Sequence, residues 1–274
     1  MSEAPALRPV ALITGASAGI GTALAHVFAE NGHELVLVAR RAQRLAELAD
    51  TIAASGRARP HVAAIDLTRT DAAAQIAIEL AQRGLEPQYV VNNAGFGLYG
   101  DAAELPLAEQ LAMIDLNVRA LAELSLAFIN SLARRRGGIL NVASVASYLP
   151  GPGMAVYYAS KAFVLSFGEA LHEELSSRGI RVTTLCPGPV PTEFQARAGI
   201  GKSKAPAVLV QSSDAVAAQG YAALMRGQSV VVPGLANHAA TLAMRLAPRG
   251  LLAKIVARRQ RRGALPSPDP SGGT

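Results

Sequence analysis

The sequence predicts an α/β fold: a doubly wound sheet of seven parallel strands in a single domain, followed by a C-terminal amphipathic helical extension. Two observations predict it. Short β-branched and aliphatic runs alternate with alanine-rich helical stretches over most of the chain, and most of these runs are apolar almost throughout. Parallel strands covered by helices on both faces have this continuous apolar pattern, whereas half-exposed strands alternate apolar with polar residues. The alternation of strand and helix therefore indicates a doubly wound α/β sheet.

Each predicted element follows from this rhythm. The strands are residues 10–14, 34–39, 61–66, 89–93, 138–144, 181–186 and 229–233. The helices between them lie near residues 19–31, 41–55, 70–83, 108–135, 157–178 and 214–226. The part after the sixth strand, residues 195–213, lacks clear periodicity. Because insertions after the carboxyl end of a strand commonly cover a ligand crevice, residues 190–213 are the candidate substrate lid.

Length and composition are those of a folded protein. The chain has 274 residues, of which 50% are hydrophobic and 17% charged, the opposite of a disordered composition. No repeat or long linker interrupts residues 1–233, which are predicted to form one domain, with residues 234–274 as a tail. The net charge is +6, but the surplus of basic residues crowds the C-terminal region. A nearly neutral body argues against nucleic-acid binding.

Two features predict a cytoplasmic location. Cys186 is the one cysteine of the sequence, so it has no second thiol for a disulfide or a metal site, and no metal is predicted. The apolar run near the N-terminus is too short for a signal peptide.

The tail is apolar at helical spacing and carries many arginines. Pro248 and Gly250 predict its division into two helices. The stretch before Arg245 is too short to span a bilayer. A basic amphipathic helix can lie on an anionic membrane surface, pack on a partner subunit or roof a substrate pocket, and all three remain open. The last residues, "LPSPDPSGGT", predict disorder.

A glycine-rich turn, "TGASAGIG", connects the first strand to the first helix. Backbone amides at such a helix start can hold pyrophosphate oxygens, and glycine permits the close approach that a side chain blocks. The pattern thus favours a Rossmann-type dinucleotide site, although a tight turn can need glycine for backbone reasons alone. The candidate cofactor-binding residues of the turn are Gly15, Ser17, Gly19, Ile20 and Gly21.

The end of the second strand discriminates between cofactors. In dinucleotide folds an acidic residue about 20 positions beyond the glycines binds the ribose hydroxyls of NAD. Here that place holds Ala39, followed by Arg40 and Arg41. Arginine binds phosphate through bidentate, charge-assisted hydrogen bonds, so the pair favours the 2′-phosphate of NADP(H), with Ser17 as a further contact. The alternative is that both arginines only begin a solvated helix.

Two adjacent tyrosines precede a lysine in "MAVYYASKAF". Tyr157 lies four residues before Lys161 and Tyr158 lies three before it, so on a helix either ring can approach the amine. A free phenol has a pKa of about 10, and a base usable near neutral pH needs a pKa about 3 lower, or about 4 kcal/mol. One ammonium at about 4 Å contributes on the order of 4 kcal/mol at an effective dielectric of about 20. The spacing alone leaves both tyrosines open as an acid/base.

These motifs occur together with "NNAG" after the fourth strand, Asn117 in the next helix and Ser144 at the end of the fifth strand. With them the chain resembles the short-chain dehydrogenase/reductase family in its single-domain form, over about residues 10–233. The resemblance maps the family's catalytic tetrad onto Asn117, Ser144, Tyr157 and Lys161. Tyr157 fits both the Y-x-x-x-K motif and the interval of 13 residues from Ser144. Tyr158 fits neither, and is expected to pack or to face the pocket.

The same resemblance implies roles for these and other residues. Ser144 hydrogen-bonds the reacting oxygen, Asn117 supports a water relay, and Lys161 also holds the nicotinamide ribose. Further implied cofactor contacts are Asp66 and Leu67 near the adenine, Asn93, Ala94 and Gly95 near its ribose, and Pro187, Gly188, Val190 and Thr192 in the "PGPVPT" turn near the nicotinamide, together with Tyr157.

The resemblance implies an NADP(H)-dependent oxidoreductase that transfers a hydride between the nicotinamide and a carbonyl or secondary alcohol, and that works as a homodimer or homotetramer. Mostly apolar pocket candidates, such as Phe96 and Phe194, favour an apolar or acyl-chain substrate. Two other function classes are a non-catalytic NADP(H)-binding sensor and a membrane-associated interaction protein that uses the tail. Turnover of carbonyl compounds distinguishes the enzyme from the sensor, and liposome binding tests the tail.

Overall fold

The computed structural model describes residues 7–200 and 205–261. In this part of the chain seven parallel strands form one sheet, in the order β3-β2-β1-β4-β5-β6-β7. The predicted doubly wound fold is therefore confirmed. The strands are β1 (Arg8–Thr14), β2 (Glu34–Ala39), β3 (His61–Ala64), β4 (Leu85–Asn92), β5 (Gly138–Val142), β6 (Arg181–Leu185) and β7 (Val230–Val231).

Helices cover both faces of this sheet. They are α1 (Gly19–Glu30), α2 (Ala42–Ala54), α3 (Ala72–Gln82), α4 (Leu107–Ile114), α5 (Leu121–Ala127), α6 (Ile129–Arg135), α7 (Ala155–Ser176), α8 (Glu193–Arg197), α9 (Ser213–Met225), α10 (Leu235–Leu246) and α11 (Arg249–Arg261). A π-helical segment, Asp115–Ala120, joins α4 to α5, and short 3-10 turns occur at Val145–Tyr148 and Ala207–Leu209.

Alternate residues of the central strand enter two different core layers. In β1, Val10 and Leu12 pack into the layer on one face of the sheet, whereas Ala11 and Ile13 pack into the layer on the other. All four are at most 1% exposed. Burying a Leu or Ile side chain contributes about 1.5–3 kcal/mol, so both faces favour apolar residues. This double burial explains why the strands are continuously apolar in sequence.

The fourth strand begins earlier than its sequence indicates. We predicted that this strand starts at Tyr89, but β4 begins at Leu85 and includes Glu86 and Pro87. Glu86 is only 6% exposed because it forms ion pairs with Arg134 and Arg135 at the end of α6. The register with β1 also shifts at this point, which accommodates the proline. Long-range pairing thus makes a polar stretch compatible with a buried strand.

The sequence predicted one continuous helix over residues 108–135, and this prediction is wrong because the helix is interrupted twice. The structure interrupts it at the π-helical segment Asp115–Ala120 and again at Phe128, whose φ of −106° is not helical. A π-helical turn inserts one residue into the helical ladder and frequently marks a functional position. The segment contains Asn117, which is 0% exposed.

The tail folds back on the body as two helices that are divided at Pro248 as predicted, whereas Gly250 lies inside α11 and does not interrupt it. Asn237 of α10 is 2% exposed and donates hydrogen bonds to the carbonyls of Leu209 and Pro233. The Arg245 guanidinium lies 5.0 Å from the centre of the Tyr148 ring. Across the described ranges, every helix is too short or too polar to cross a bilayer. The predicted disordered end lies outside the described residues.

Candidate active site

All predicted site residues except Gly21 and Asn117 line one large cleft at the carboxyl edge of the sheet. Its floor is formed by the loops that follow β1, β4, β5 and β6. One wall is the segment predicted as the lid, which contains α8 and the 3-10 turn Ala207–Leu209, while residues 201–204 of that segment lie outside the described residues. Residues of α10 and α11 line the cleft as well, so the tail packs over the site.

The glycine-rich turn is shaped by backbone geometry that other residues do not tolerate. Gly15 and Gly19 have φ values of 65° and 56°, in the left-handed region. A β-carbon on Gly21 would lie 2.2 Å from the Gly15 carbonyl oxygen. The α1 helix begins at Gly19, and its N-cap residue Ala18 provides no side-chain hydrogen bond to the first amides. These amides and the helix dipole form a cradle that fits a phosphate group.

The loop after β4 holds this turn in place. Asn93 donates side-chain hydrogen bonds to the carbonyls of Thr14 and Gly15, at 2.9 and 3.2 Å. The Thr14 hydroxyl accepts from the amides of Asn93 and Ala94. The next residue, Gly95, passes so close to the catalytic candidates that a β-carbon there would lie 3.0 Å from the Asn117 side-chain oxygen. The "NNAG" segment thus connects the glycine turn to the π-helical segment.

Cationic side chains surround the end of β2. The Arg41 guanidinium donates to the hydroxyl and carbonyl of Ser17 at 3.1–3.2 Å. Arg40 lies 4.0 Å from Asp66, which follows β3. Burial opposes ionisation of Asp66, but hydrogen bonds from Thr68 and the charge of Arg40 lower its pKa. Both arginines, Ser17 and Asp66 therefore meet at one end of the cleft, where Ile20 and the buried Leu67 also line the wall.

Asn117 and Lys161 are fixed by hydrogen bonds in the deepest part of the site. The Asn117 amide accepts from the Phe96 backbone amide at 3.1 Å and donates to the Phe96 carbonyl and the Ser160 hydroxyl. Lys161 is 5% exposed, and its amine donates a hydrogen bond to the Val142 carbonyl at 2.8 Å. The π-helical segment turns Asn117 towards α7, and this explains why the helix is interrupted there.

The two tyrosines at the start of α7 have different surroundings. Ser144 acts to lower the pKa of the Tyr157 phenol, and the Tyr157 ring lies 5.2 Å from that of Phe194 in α8. The Tyr158 ring packs directly on Gly151, where a β-carbon would approach it to 2.1 Å. Tyr157 therefore lines the same cleft as Ser144 and Lys161, and Tyr158 both packs on the preceding loop and borders this cleft.

Burial dominates the ionisation of both catalytic candidates. It raises the pKa of Tyr157 to about 12, although the hydrogen bond with Ser144 acts in the opposite direction. It lowers the pKa of Lys161 to about 8. The sequence argument expected the lysine charge to depress the phenol pKa, but desolvation is the larger effect in the structure. A neutral phenol can donate a proton to a nearby oxygen.

The "PGPVPT" turn after β6 closes the site from below α8. The Pro187 carbonyl accepts from the Val145 amide beside Ser144, and Val190 is buried. Gly188 lies against Asn237, because a β-carbon there would be 2.5 Å from its amide. Thr192 caps α8 and packs on Gly19, where a β-carbon would be 2.9 Å from its methyl carbon.

Sequence reasoning missed three residues of this site. Glu193 forms an ion pair with Arg41, and Arg197 stacks on the Phe96 ring at 4.3 Å. Asn237 joins the tail to the 3-10 turn Ala207–Leu209 through the Leu209 carbonyl. Their partners are distant in sequence, so periodicity carries no signal for the contacts. The threonine and glutamine of "TEFQ" do form a capping box, which could have predicted the start of α8.

Comparisons with known proteins agree with this geometry. Residues 9–203 match a family model described as short chain dehydrogenase. Sulfoacetaldehyde reductase 2 of Chromohalobacter salexigens is 39% identical over 191 residues, 69% of this chain and 75% of that protein. A solved short-chain dehydrogenase from Sphingobium yanoikuyae in complex with NADPH is 32% identical with a TM-score of 0.77, covering 97% of this chain and 99% of that one. The bulky-bulky ketone specific alcohol dehydrogenase from Comamonas testosteroni is 29% identical with a TM-score of 0.72, covering 89% and 96%.

Proposed function

This chain belongs to the short-chain dehydrogenase/reductase family, and we propose that it is an NADP(H)-dependent enzyme that reduces the carbonyl group of an apolar or acyl-chain substrate, or oxidises the corresponding alcohol. The family membership carries the oxidoreductase activity on CH–OH groups and the use of a nicotinamide cofactor. The NADP(H) preference, the substrate class and the roles of individual residues are our proposal.

The contact between Arg41 and Ser17 carries the preference for NADP(H). Its guanidinium lies 3.1 Å from the Ser17 hydroxyl, directly after β2, where NAD-binding folds carry a carboxylate. Arg40 and Arg44 add positive charge at the same end of the cleft. An arginine is able to hold a phosphate in a bidentate manner, and the absence of a carboxylate from the end of β2 removes the usual acceptor for ribose hydroxyls. The relative from Sphingobium yanoikuyae that carries NADPH supports the same choice.

Each of the four side chains of the predicted tetrad has a separate role in proton transfer. When bound, the nicotinamide supplies or accepts the hydride. Tyr157 protonates the carbonyl oxygen in reduction and removes the alcohol proton in oxidation. Ser144 hydrogen-bonds the same oxygen, and Lys161 places its positive charge near the phenol and holds the ribose. Asn117 fixes the loop at Phe96 and supports a water relay behind Lys161.

The lining of the cleft supports an apolar substrate. Phe96, Leu149, Met154 and Phe194 border the catalytic candidates, and Met244 of α10 faces the same space. The similarity to an alcohol dehydrogenase for bulky ketones agrees with this lining. Long-chain ketones, aldehydes and 3-oxoacyl thioesters are the candidate substrates.

One observation favours a second substrate class. The Arg197 guanidinium stacks over the Phe96 ring and brings a positive charge to the cleft. A small carbonyl compound with an acid group could pair with it, and one relative is named a sulfoacetaldehyde reductase. This candidate differs from the first in size and charge, so a single substrate screen separates them.

The deciding experiment is a spectrophotometric screen of NADPH oxidation over apolar ketones, aldehydes, 3-oxoacyl thioesters and small acidic aldehydes. We expect turnover of apolar carbonyls and a kcat/KM for NADPH well above that for NADH. A clear NADH preference contradicts the cofactor proposal. Tight NADPH binding without turnover of any compound favours a non-catalytic sensor instead. A homodimer or homotetramer, a cytoplasmic location and peripheral membrane contact through the tail remain part of the proposal.

A further inference from the structure

Two arginines that we assign to the cofactor phosphate form ion pairs with an acidic residue of the protein itself. The Glu193 carboxylate lies 2.8 Å from a terminal nitrogen of Arg41 and 2.7 Å from one of Arg44. Both arginines stand at the start of α2, whereas Glu193 begins α8 in the candidate lid, about 150 positions later in sequence. Each oxygen of the carboxylate accepts from a different guanidinium. The arrangement resembles the way two arginines hold a phosphate.

This ion pair connects the candidate lid to the glycine turn. Arg41 donates to the hydroxyl and carbonyl of Ser17 while it holds Glu193, so one guanidinium contacts both the turn and the lid. The preceding residue, Thr192, packs on Gly19. The first residues of α8 are therefore fixed across the place where the cofactor phosphates are expected.

The other side of α8 reaches the catalytic candidates. Phe194 follows Glu193 directly, and its ring centre lies 5.2 Å from that of Tyr157. It also packs against Gly97, where a β-carbon would be 2.8 Å from the Phe194 ring. Glu193 and Phe194 are consecutive residues of the first turn of α8, so a displacement of one shifts the backbone of the other. The contact at Arg41 and the contact at Tyr157 are thus mechanically linked.

The pair is also weak enough to exchange. The side chains of Glu193, Arg41 and Arg44 are 50%, 44% and 52% exposed. Solvent screens exposed ion pairs, so the carboxylate adds little to the stability of the fold. A 2′-phosphate carries more negative charge and more acceptor oxygens than one carboxylate. It can therefore replace Glu193 on the arginines, and the two anions repel each other if both remain.

We propose that Glu193 is a specificity-determining residue that competes with the 2′-phosphate of NADP(H) for Arg41 and Arg44, and whose displacement releases α8 from the glycine turn. The inference rests on the proposed use of NADP(H). It assigns Glu193 two effects: it lowers the affinity for the 2′-phosphate, and it links phosphate binding to the position of Phe194 beside Tyr157.

The first test measures binding of two fragments, 2′,5′-ADP and 5′-AMP, by calorimetry. Glu193→Gln removes the competing charge. It is expected to lower the Kd for 2′,5′-ADP about three- to tenfold, while the Kd for 5′-AMP stays unchanged. Glu47→Gln is the matched control, since this exposed residue of α2 changes the net charge equally and contacts Gln43. It is expected to change neither affinity. Unchanged or weaker binding of 2′,5′-ADP to Glu193→Gln overturns the inference.

The wild-type protein separates this failure from failure of the proposed function. If it prefers 2′,5′-ADP over 5′-AMP and Glu193→Gln leaves the preference unaltered, NADP(H) use stands and the competitive role of Glu193 is wrong. If the wild type binds both fragments equally, the 2′-phosphate is not recognised, and both proposals fall.

The second test follows α8 directly. The sequence contains no tryptophan, so Phe194→Trp introduces a single tryptophan beside Tyr157 whose emission can be excited selectively. We expect 2′,5′-ADP to change its emission, whereas saturating 5′-AMP leaves the emission as it is. Adding Glu193→Gln to this variant should produce the changed emission before any ligand is present. Emission that is identical with and without 2′,5′-ADP contradicts the release of α8.

Discussion

The ionisation of Tyr157 is decided by competition between burial and hydrogen bonding. Burial raises its pKa to about 12 and outweighs the opposing effect of Ser144. Lys161, which could stabilise a tyrosinate, has a pKa lowered to about 8 by the same desolvation. At neutral pH the phenol therefore holds its proton and the lysine remains largely charged. The phenol is thus in the protonated form that a general acid needs, while its raised pKa makes it a weaker acid than a free tyrosine.

Replacement of each tyrosine by phenylalanine tests which of them acts on the substrate. Tyr157→Phe removes the proposed acid/base hydroxyl, and we expect kcat for carbonyl reduction to fall by at least about 100-fold, the range of a lost general acid. Steady-state kinetics with a substrate from the carbonyl screen measures it. The affinity for NADPH should change little, because the ring and its contact with Phe194 are preserved.

Tyr158→Phe is the control for this prediction. The Tyr158 ring packs on Gly151, and a phenylalanine ring preserves that packing. We expect a far smaller loss of kcat than for Tyr157→Phe. Equal losses, or full turnover by Tyr157→Phe, would show that the acid/base has been assigned to the wrong residue.

At the level of elements, the turn between β1 and α1 tolerates no added carbon. Gly21→Ala would place its β-carbon 2.2 Å from the Gly15 carbonyl oxygen, which belongs to the backbone and cannot rotate away. We expect the free energy of unfolding to fall by about 1–3 kcal/mol and NADPH binding to weaken, because the turn must open to relieve the overlap. Urea unfolding and calorimetry with NADPH provide the two measurements.

Gly250→Ala is the matched control, since no atom lies within 4 Å of a β-carbon at this exposed position in α11. In a helix this change is neutral or favourable by up to about 1 kcal/mol. Equal destabilisation by both variants would mean that the overlap at Gly15 is not what makes Gly21 necessary.

The sheet was largely predictable because local sequence specifies it. Apolar runs marked all seven strands of the described chain, and Pro248 marked the division between α10 and α11. The errors occur where distant residues decide the structure. Glu86 enters a buried strand only because Arg134 and Arg135 neutralise it. A sequence pattern cannot contain that information.

The candidate site was likewise predictable where local motifs specify it, and not where distant residues do. Motif intervals brought Ser144 and Tyr157 into the same candidate set, and the structure places both at the cleft, where Ser144 lowers the pKa of the Tyr157 phenol against the effect of burial. The π-helical turn that carries Asn117 was missed, because it depends on hydrogen bonds to Phe96 and Ser160 rather than on helix propensity. Glu193 was missed because its partners on α2 come together only in the folded chain.

On the scale of the whole molecule, strand order positions the site. The chain proceeds from β1 to β2 and β3 on one side, then returns to place β4, β5, β6 and β7 on the other. Ligands of open α/β sheets bind where the order reverses, outside the carboxyl ends of the strands. The glycine turn follows β1 and the "NNAG" segment follows β4, so both lie at this reversal. The division of the chain at residues 233 and 234 stays a prediction.

The tail supplies the last wall of the cleft. Asn237 anchors α10 beneath the "PGPVPT" turn, and Ile255 and Val256 of α11 line the same cleft. A chain that ends at Ala247 keeps the anchor and loses α11. We expect its KM for a bulky apolar ketone to rise about tenfold, the effect of losing about 1.4 kcal/mol of apolar contact, while the Kd for NADPH and the KM for a small aldehyde stay the same.

The same truncation separates a roof over the substrate from a membrane contact. The α11 helix also carries Arg249, Lys254 and Arg258, with Leu251 53% exposed among them. An anionic bilayer attracts each such basic residue by about 1 kcal/mol near its surface. If α11 serves the membrane, the full chain sediments with phosphatidylglycerol vesicles, the truncated chain does not, and KM is the same for both. If α11 roofs the cleft, KM separates the two chains and neither sediments. Because Ile255 and Val256 line the cleft, we expect the second result.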